Sequence, residues 1–408
     1  MKPYILLFGL ILVFVSCTSN QDSIKSQNID ALISDLQNAA SIANPATKEA
    51  RINAIWDSLE VNNLIPVTED STVLFLYRGE AESVSWNGDF NSWSNDKRFE
   101  NEGSYIKGSN IWFLKQNFPS DARLDYKITL NNDNWILDPV NQNQQWSGFG
   151  PNSELRMPDW KEEPLTKPIE EASKGTLSAH KFIDSKNLEY KIQYRVYIPA
   201  GYEKFENLSV LYTTDGQEYS DDKLGAGTIV LDNLIHLQLI KPIIAVFVEP
   251  LNPDKPNENR RMDEMGMSEK FLSFFVDELI PEIESNYKVN AKKENRVILG
   301  TSLGGLNSAY FGFTRPDMFD GVAIQAPAFW YREEIYDLVR NAEKHPSQIY
   351  MTVGTIGDNT DDARLMKRLF EQEDIDFSYL EVNEGHSWGA WRAQMDDILV
   401  HFFGNRSE

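Results

Sequence analysis

The chain has 408 residues, a formal net charge of −23 and 41% hydrophobic residues. This is globular composition with ample material for a core, at a length that suits two domains or one domain with an extension. The acidic balance leaves no basic patch to release counterions from phosphates, so nucleic acid is not an expected partner.

Lys2 is followed by an apolar run from Ile5 to Val15 and then Ser16-Cys17. A positive start, a short apolar segment and small residues mark an export signal, and the run is too short for an ordinary membrane span. It resembles a bacterial lipoprotein signal spanning 1–17, with Cys17 as the lipidated first residue of the mature chain. That implies attachment to the outer membrane, on its periplasmic or surface face. Thr18 to Asn28 is polar and aperiodic, as a tether should be. Cys17 is the one cysteine, so the mature domains carry no disulfide.

Ile29, Leu32, Ile33 and Leu36, then Ile52, Ile55, Trp56 and Leu59, recur at helical spacing, and Pro45 divides them into two helices. From Thr72 the period becomes two. Strands are predicted at 72–79, 83–86, 111–114 and 124–130, separated by Asn87-Gly88-Asp89, Glu102-Gly103 and Asn131-Asn132-Asp133. Short strands with regular turns point to an immunoglobulin-like β-sandwich over 64–157, after a tether and helices over 18–63. Tryptophans 86, 93, 135 and 146 are expected to be mainly core, with sugar stacking as the minority reading. Residues 158–178, rich in Pro, Lys and Glu at their start, read as a linker.

Over 179–408 strands and helices alternate. Strands are predicted at 190–198, 209–213, 243–248, 297–299, 349–353 and 377–382, with a helix over 269–285. The 243–248 run is wholly apolar, as suits a central parallel strand covered on both faces. The expected fold is α/β, a doubly wound and mostly parallel sheet with its site at the carboxyl ends of the strands.

The run Val297-Ile298-Leu299-Gly300-Thr301-Ser302-Leu303-Gly304-Gly305 places a Gly-x-Ser-x-Gly pentapeptide between a strand and a helix. This is the nucleophile-elbow pattern. The serine needs a strained turn to expose its hydroxyl, and Gly300 and Gly304 let backbone pass close by. The amide of Leu303, opening the helix, points towards a developing oxyanion.

A serine nucleophile needs a base, and the base an orienting acid. The order Ser, acid, His removes His180 and His236. His345 sits at a charged helix end and His401 in the last amphipathic helix. His386 lies in a loop past a late strand and is the expected base. Asp358, after the strand ending at Val353, is the expected acid. Asp361 and Asp362 compete with it, although either could cap the following helix, and Glu384 is a further candidate. No HxH, HExxH or CxxC spacing and no phosphate loop is present, so neither a metal nor a cofactor is expected.

These features together resemble the enterochelin-esterase-like family of α/β-hydrolase serine esterases over roughly 52–404. The pieces are Val73 to Gly79, Gly88-Asp89-Phe90-Asn91-Ser92-Trp93, Trp135 to Asn141 and Gly150 to Pro158, which are similar to its N-terminal early-set domain, itself like glycogen-binding modules. Val210 to Gln217, Arg261-Met262-Asp263-Glu264 and Gly385-His386-Ser387-Trp388 with Trp391-Arg392 complete the match. The resemblance implies Ser302 as nucleophile and His386 as base, with a second oxyanion amide from Gln217 and a structural role for Asp215. Ala326-Pro327-Ala328 departs from the Ser-rich sequence that many relatives carry before Phe-Trp.

Trp330, Tyr331, Trp388 and Trp391 lie on loops near the expected site and would suit a catechol, feruloyl or sugar group. Arg261 either pairs with Glu264 or faces an anionic substrate. Two substrate classes compete: a catechol siderophore lactone, implied by the resemblance, and an acyl group such as feruloyl or acetyl on a polysaccharide. A non-catalytic glycan-binding lipoprotein is the alternative of another class, against which the intact Ser302, His386 and acid loop argue.

Overall fold

The computed structural model describes residues 28–96 and 99–405. The expected signal over 1–17, Cys17 and nearly all of the tether lie outside the described residues.

Two helices open the described chain, Ile29–Ala40 and Pro45–Val61. The Asn44 side chain accepts from the Thr47 amide, and Pro45 stands at the first helical position, where its missing N–H costs nothing. Leu36, Ile52 and Leu59 pack on Leu74, Leu76 and Ile111, which face outward from the first β-sheet.

That sheet holds four antiparallel strands in the order Val67–Glu69, Thr72–Arg78, Ile111–Asn117, Ser104–Tyr105. A second antiparallel sheet runs Val84–Gly88, Arg123–Leu130, Gly150–Arg156, Gln144–Ser147, with Asn134–Ile136 added beside Arg123–Leu130. Val73 and Phe75 from the first sheet meet Trp86, Tyr126, Ile128 and Leu155 from the second in one core. Alternation sends Leu124, Tyr126 and Ile128 inward. Arg123 and Asp125, on the opposite face, are buried all the same, because the second half of the chain covers them. The tryptophans divide. Trp86 is core, Trp93 is half-buried, and Trp135 and Trp146 are 42% and 39% exposed. The core expectation therefore holds for Trp86 and not for Trp135 or Trp146. These two sit on short edge segments that no second sheet covers.

The connector is strapped to the second half rather than free. Asn233 donates to the carbonyls of Leu165 and Lys167 at 2.8 and 2.7 Å. Within it, Thr176–Leu177 already pairs antiparallel with Lys191–Ile198.

The large sheet runs Thr176–Leu177, Lys191–Ile198, Ile243–Glu249, Ser209–Thr213, Arg296–Thr301, Gly321–Gln325, Gln348–Gly354, Ser378–Val382. Lys191–Ile198 is antiparallel to its neighbour, and the six strands from Ile243–Glu249 onward are parallel. Every residue of Ile243–Glu249 and of Arg296–Thr301 is buried, which explains the apolar runs 243–248 and 297–299 within them. The helix expected over 269–285 changes pitch midway. Glu269–Phe274 and Ile280–Asn286 are α-helical, and Phe275–Leu279 is a π-turn. Pro281 lacks the N–H that an unbroken ladder would need, and the wider turn absorbs the loss.

Candidate active site

Arg296–Thr301 sits in the middle of the parallel array, so the turn after it opens at the carboxyl ends of the strands. Ser302 occupies that turn with φ 59° and ψ −115°, a conformation an L-residue adopts only when its surroundings dictate it. The surroundings do so. The Ser302 amide donates to Gln325 O at 2.9 Å, and its carbonyl accepts from Ala328 at 2.9 Å. A Cβ at Gly300 would collide with the backbone of Gly304, so the turn closes only without one.

His386 Nε2 lies 3.0 Å from Ser302 Oγ, and His386 Nδ1 lies 2.6 Å from Asp358 Oδ1. Asp358 is 1% exposed at its side chain. Its Oδ2 accepts from the Gly354 amide at 2.7 Å, and Oδ1 from its neighbour Asn359 at 2.7 Å. Two backbone donors and the imidazole thus hold one carboxylate in a fixed plane. The competing acids go elsewhere. Asp361 and Asp362 lie in the first turn of the Thr360–Gln372 helix, where Asp362 accepts from the Tyr336 hydroxyl. Glu384 accepts from Trp160 Nε1 at 3.2 Å. Of the other histidines, His180 faces Glu249 and His401 packs on Tyr350.

Leu303 opens the Leu303–Thr314 helix, and Gln217 lies in the first turn of Gly216–Tyr219. Among the described residues neither amide donates to a backbone carbonyl, as expected of first-turn helical amides. Asp215 adopts φ 53° to start the second of these helices. Arg261 pairs with Asp215 and not with Glu264, which accepts from the Tyr190 hydroxyl at 2.7 Å instead.

Ser302 and His386 open into a cavity of about 590 Å³ between the two halves of the chain, with Asp358 buried behind the imidazole. Arg261, Trp388 and Trp391 line it with Asp215, Ser302 and His386. Trp388 Nε1 donates to Glu218 at 2.6 Å, and Trp391 meets the His386 ring edge-on at 4.8 Å. Trp330 is 58% exposed, bonds Asn359 at 3.1 Å and is not part of this lining. Its short 3-10 turn at Phe329–Tyr331 buries Phe329 and turns the indole outward.

The opposite wall comes from the N-terminal sheets: Asp89, Trp93, Asp125, Lys127, Phe149 and Asn152. Sequence reasoning assigned none of these but Trp93, and that one to the core. The available signal was a set of charged residues on the outer phase of the 123–130 strand, a phase that ordinarily means solvent. Ser92, Trp93 and Ser94 all have positive φ, 47°, 56° and 79°, a run of left-handed backbone that carries Trp93 into the cavity wall. Burial, followed by the neighbouring Asp125 carboxylate, pushes Asp89 well above the usual carboxylate range. Burial and Asp215 likewise raise Glu218.

The family model described as "Putative esterase" matches residues 185–402. Over 237 residues the chain is 25% identical to the uncharacterized protein YjcH of Bacillus subtilis, covering 55% of this chain and 96% of that one. It is 34% identical over 152 residues to an endo-1,4-beta-xylanase/feruloyl esterase of Xylanibacter ruminicola, a match that spans 35% of this chain and 20% of that protein. Among solved structures, the enterobactin esterase FES of Shigella flexneri superposes with a TM-score of 0.67 at 17% identity, over 82% of this chain and 94% of that one, a likeness of fold. The chain belongs to the esterase family that this model defines, with an α/β-hydrolase-like fold.

Proposed function

We propose that this ester hydrolase is a serine carboxylesterase. His386 takes the Ser302 proton as Oγ attacks an ester carbonyl. The amides of Leu303 and Gln217 hold the resulting oxyanion. Asp358 fixes the imidazole tautomer and stabilises the imidazolium. Collapse of the tetrahedral adduct expels the alcohol, to which His386 returns the proton. Water then repeats the sequence on the acyl-enzyme and releases the acid. The observation that carries this reading is the hydrogen-bonded line Asp358–His386–Ser302, at 2.6 and 3.0 Å, opening into a cavity with aromatic walls.

The substrate we infer is an ester of the enterochelin type, a catecholate siderophore lactone or a related aryl ester. Trp388, Trp391, Trp93 and Phe149 offer apolar faces around the serine. A polysaccharide carrying feruloyl or acetyl groups is the second reading. It is favoured by Trp135, which stacks on Trp93 at 6.4 Å and stays exposed, as does Phe149, and so extends the aromatic wall out of the cleft. The feruloyl esterase relative supports it too. Export and lipid attachment at Cys17 belong to the same proposal and rest on the sequence pattern.

Products from a mixed panel separate these readings: a catecholate trilactone, feruloylated and acetylated xylo-oligosaccharides, and a simple aryl acetate. Release of catechoyl-serine by wild type and not by Ser302→Ala supports the first. Ferulate or acetate from the oligosaccharides supports the second. Equal turnover of the aryl acetate by Ser302→Ala removes the serine mechanism.

A further inference from the structure

The loop that bears His386 is held from within the α/β half by Thr355, Ile356 and Asp358, and equally from outside it. Arg123, at the start of the Arg123–Leu130 strand, is 1% exposed. Its Nη1 donates to Ser387 Oγ at 3.0 Å and pairs with Glu384 at 3.5 Å. Its backbone amide donates to Asn383 O at 3.2 Å, forming an isolated parallel bridge with Glu384. The rest of the guanidinium is fixed by its own domain, with Nη2 on Asp125 at 2.6 Å and Nε on Glu154. A Cβ at Gly389 would overlap the guanidinium, so the helix after the loop is packed flat against it.

Neighbouring contacts act in the same direction. Asn383 Nδ2 donates to Asp121 at 2.8 Å. A Cβ at Gly385 would strike the Asp89 carboxylate, and one at Gly357 would strike the Asp89 carbonyl. The Asp89 turn thus wedges between the loop of His386 and that of Asp358. Ile356, from the acid loop, packs onto the N-terminal core.

We propose that Arg123 is a positioning residue for His386, so that the N-terminal domain supplies the geometry of the base and not only a wall of the cleft. The proposal rests on the reading of His386 as base. A planar fork can hold Ser387 and Glu384 while anchored behind by Asp125 and Glu154, and a lysine cannot, although it keeps the charge those carboxylates need. A displacement of about 1 Å at a reacting group costs on the order of 100-fold in rate.

The test uses the full chain with Arg123→Lys, Ser387→Ala, the double variant, Ser302→Ala and His386→Ala. Arg123→Lys is expected to lower kcat on an aryl acetate about 10- to 100-fold, with KM within about twofold. The low-field proton resonance of the His386–Asp358 hydrogen bond should shift or broaden, which a purely structural residue would not cause. The double variant should lose less than the product of the single losses, because both act on one contact. Wild-type kcat and an unmoved resonance in Arg123→Lys, with Ser302→Ala inactive, would overturn the proposal. If Arg123→Lys does not fold, Ser387→Ala decides alone, and wild-type kcat there overturns it. Activity retained in Ser302→Ala and His386→Ala would instead overturn the base reading beneath it.

Discussion

Arg261 Nε donates to both carboxylate oxygens of Asp215, at 2.8 and 2.9 Å, while its Nη2 donates to Thr301 O at 3.0 Å. One side chain therefore ties the turn that presents Gln217 to the strand end that presents Ser302. Removing it should loosen the proposed oxyanion site and the support behind Ser302, while leaving the contact between Ser302 and His386 to the groups that make it. Arg261→Ala is expected to lower kcat on a neutral aryl ester about 100-fold, comparable to loss of one oxyanion donor, with a smaller change in KM. Steady-state kinetics on paired neutral and anionic esters check this. A loss confined to the anionic ester would make Arg261 a substrate-charge contact instead.

Trp93 and Phe149 come from the N-terminal domain and line the cleft. A bulky substrate would bury against them, whereas a small acyl group has the α/β side of the cleft, Trp388 and Trp391, beside Ser302. Trp93→Ala and Phe149→Ala should leave aryl acetate turnover within about threefold and raise KM for a feruloylated oligosaccharide or catecholate lactone at least tenfold, about 1.4 kcal/mol. Equal KM for small and large esters in both variants would remove the N-terminal wall from substrate binding.

Glu264 is buried beside Tyr190, and burial pushes its carboxyl up to about 8 from an ordinary value of 4.5. The native state therefore keeps a proton that the unfolded chain releases. The stability contributed by this group is full below about pH 4.5 and is lost as pH rises towards 8. Glu264→Gln, neutral throughout, should gain on wild type across that window by on the order of a few kcal/mol. Urea midpoints measured from pH 4.5 to 8.5 check this, and parallel curves for the two proteins would refute it.

Phe75 is fully buried, 5.0 Å from Tyr126 and 5.9 Å from Phe90. Phe75→Ala should cost about 3–5 kcal/mol of N-terminal domain stability, the usual range for an aromatic core truncation. Phe90 lies next to Asp89, so the domain's loosening should also reduce activity before the α/β half unfolds. Denaturant titration followed in parallel by esterase activity and by circular dichroism reads both. Coincident loss of the two signals would contradict the second part.

Much of the α/β half was legible in the sequence, because its central strands are buried on both faces and announce themselves as apolar runs. The strand expected over 243–248 is observed as Ile243–Glu249. The elbow at Ser302 was legible for another reason: few sequences satisfy the steric demands of Gly300 and Gly304. Asp358 could not be separated from Asp361 and Asp362 by spacing. Only the fold determines which carboxylate reaches the imidazole, and there Gly354 and Asn359 hold Asp358. Arg123, Asp125 and Glu154 were illegible as site residues, since period-two alternation cannot distinguish a solvated face from one covered by another domain. Trp330 misled in the opposite sense: proximity in sequence to the pocket loop placed it in the lining, and the turn after Ala328 rotates it out.

The central claim is that Ser302 is the nucleophile and His386 its base. Its most direct test is intact-protein and peptide mass spectrometry after treatment with an aryl fluorophosphonate. The account predicts one phosphonyl adduct per chain, located on Ser302, absent in Ser302→Ala and formed at least 100-fold more slowly in His386→Ala. An adduct on another residue, or labelling of Ser302 at an undiminished rate without His386, would contradict it.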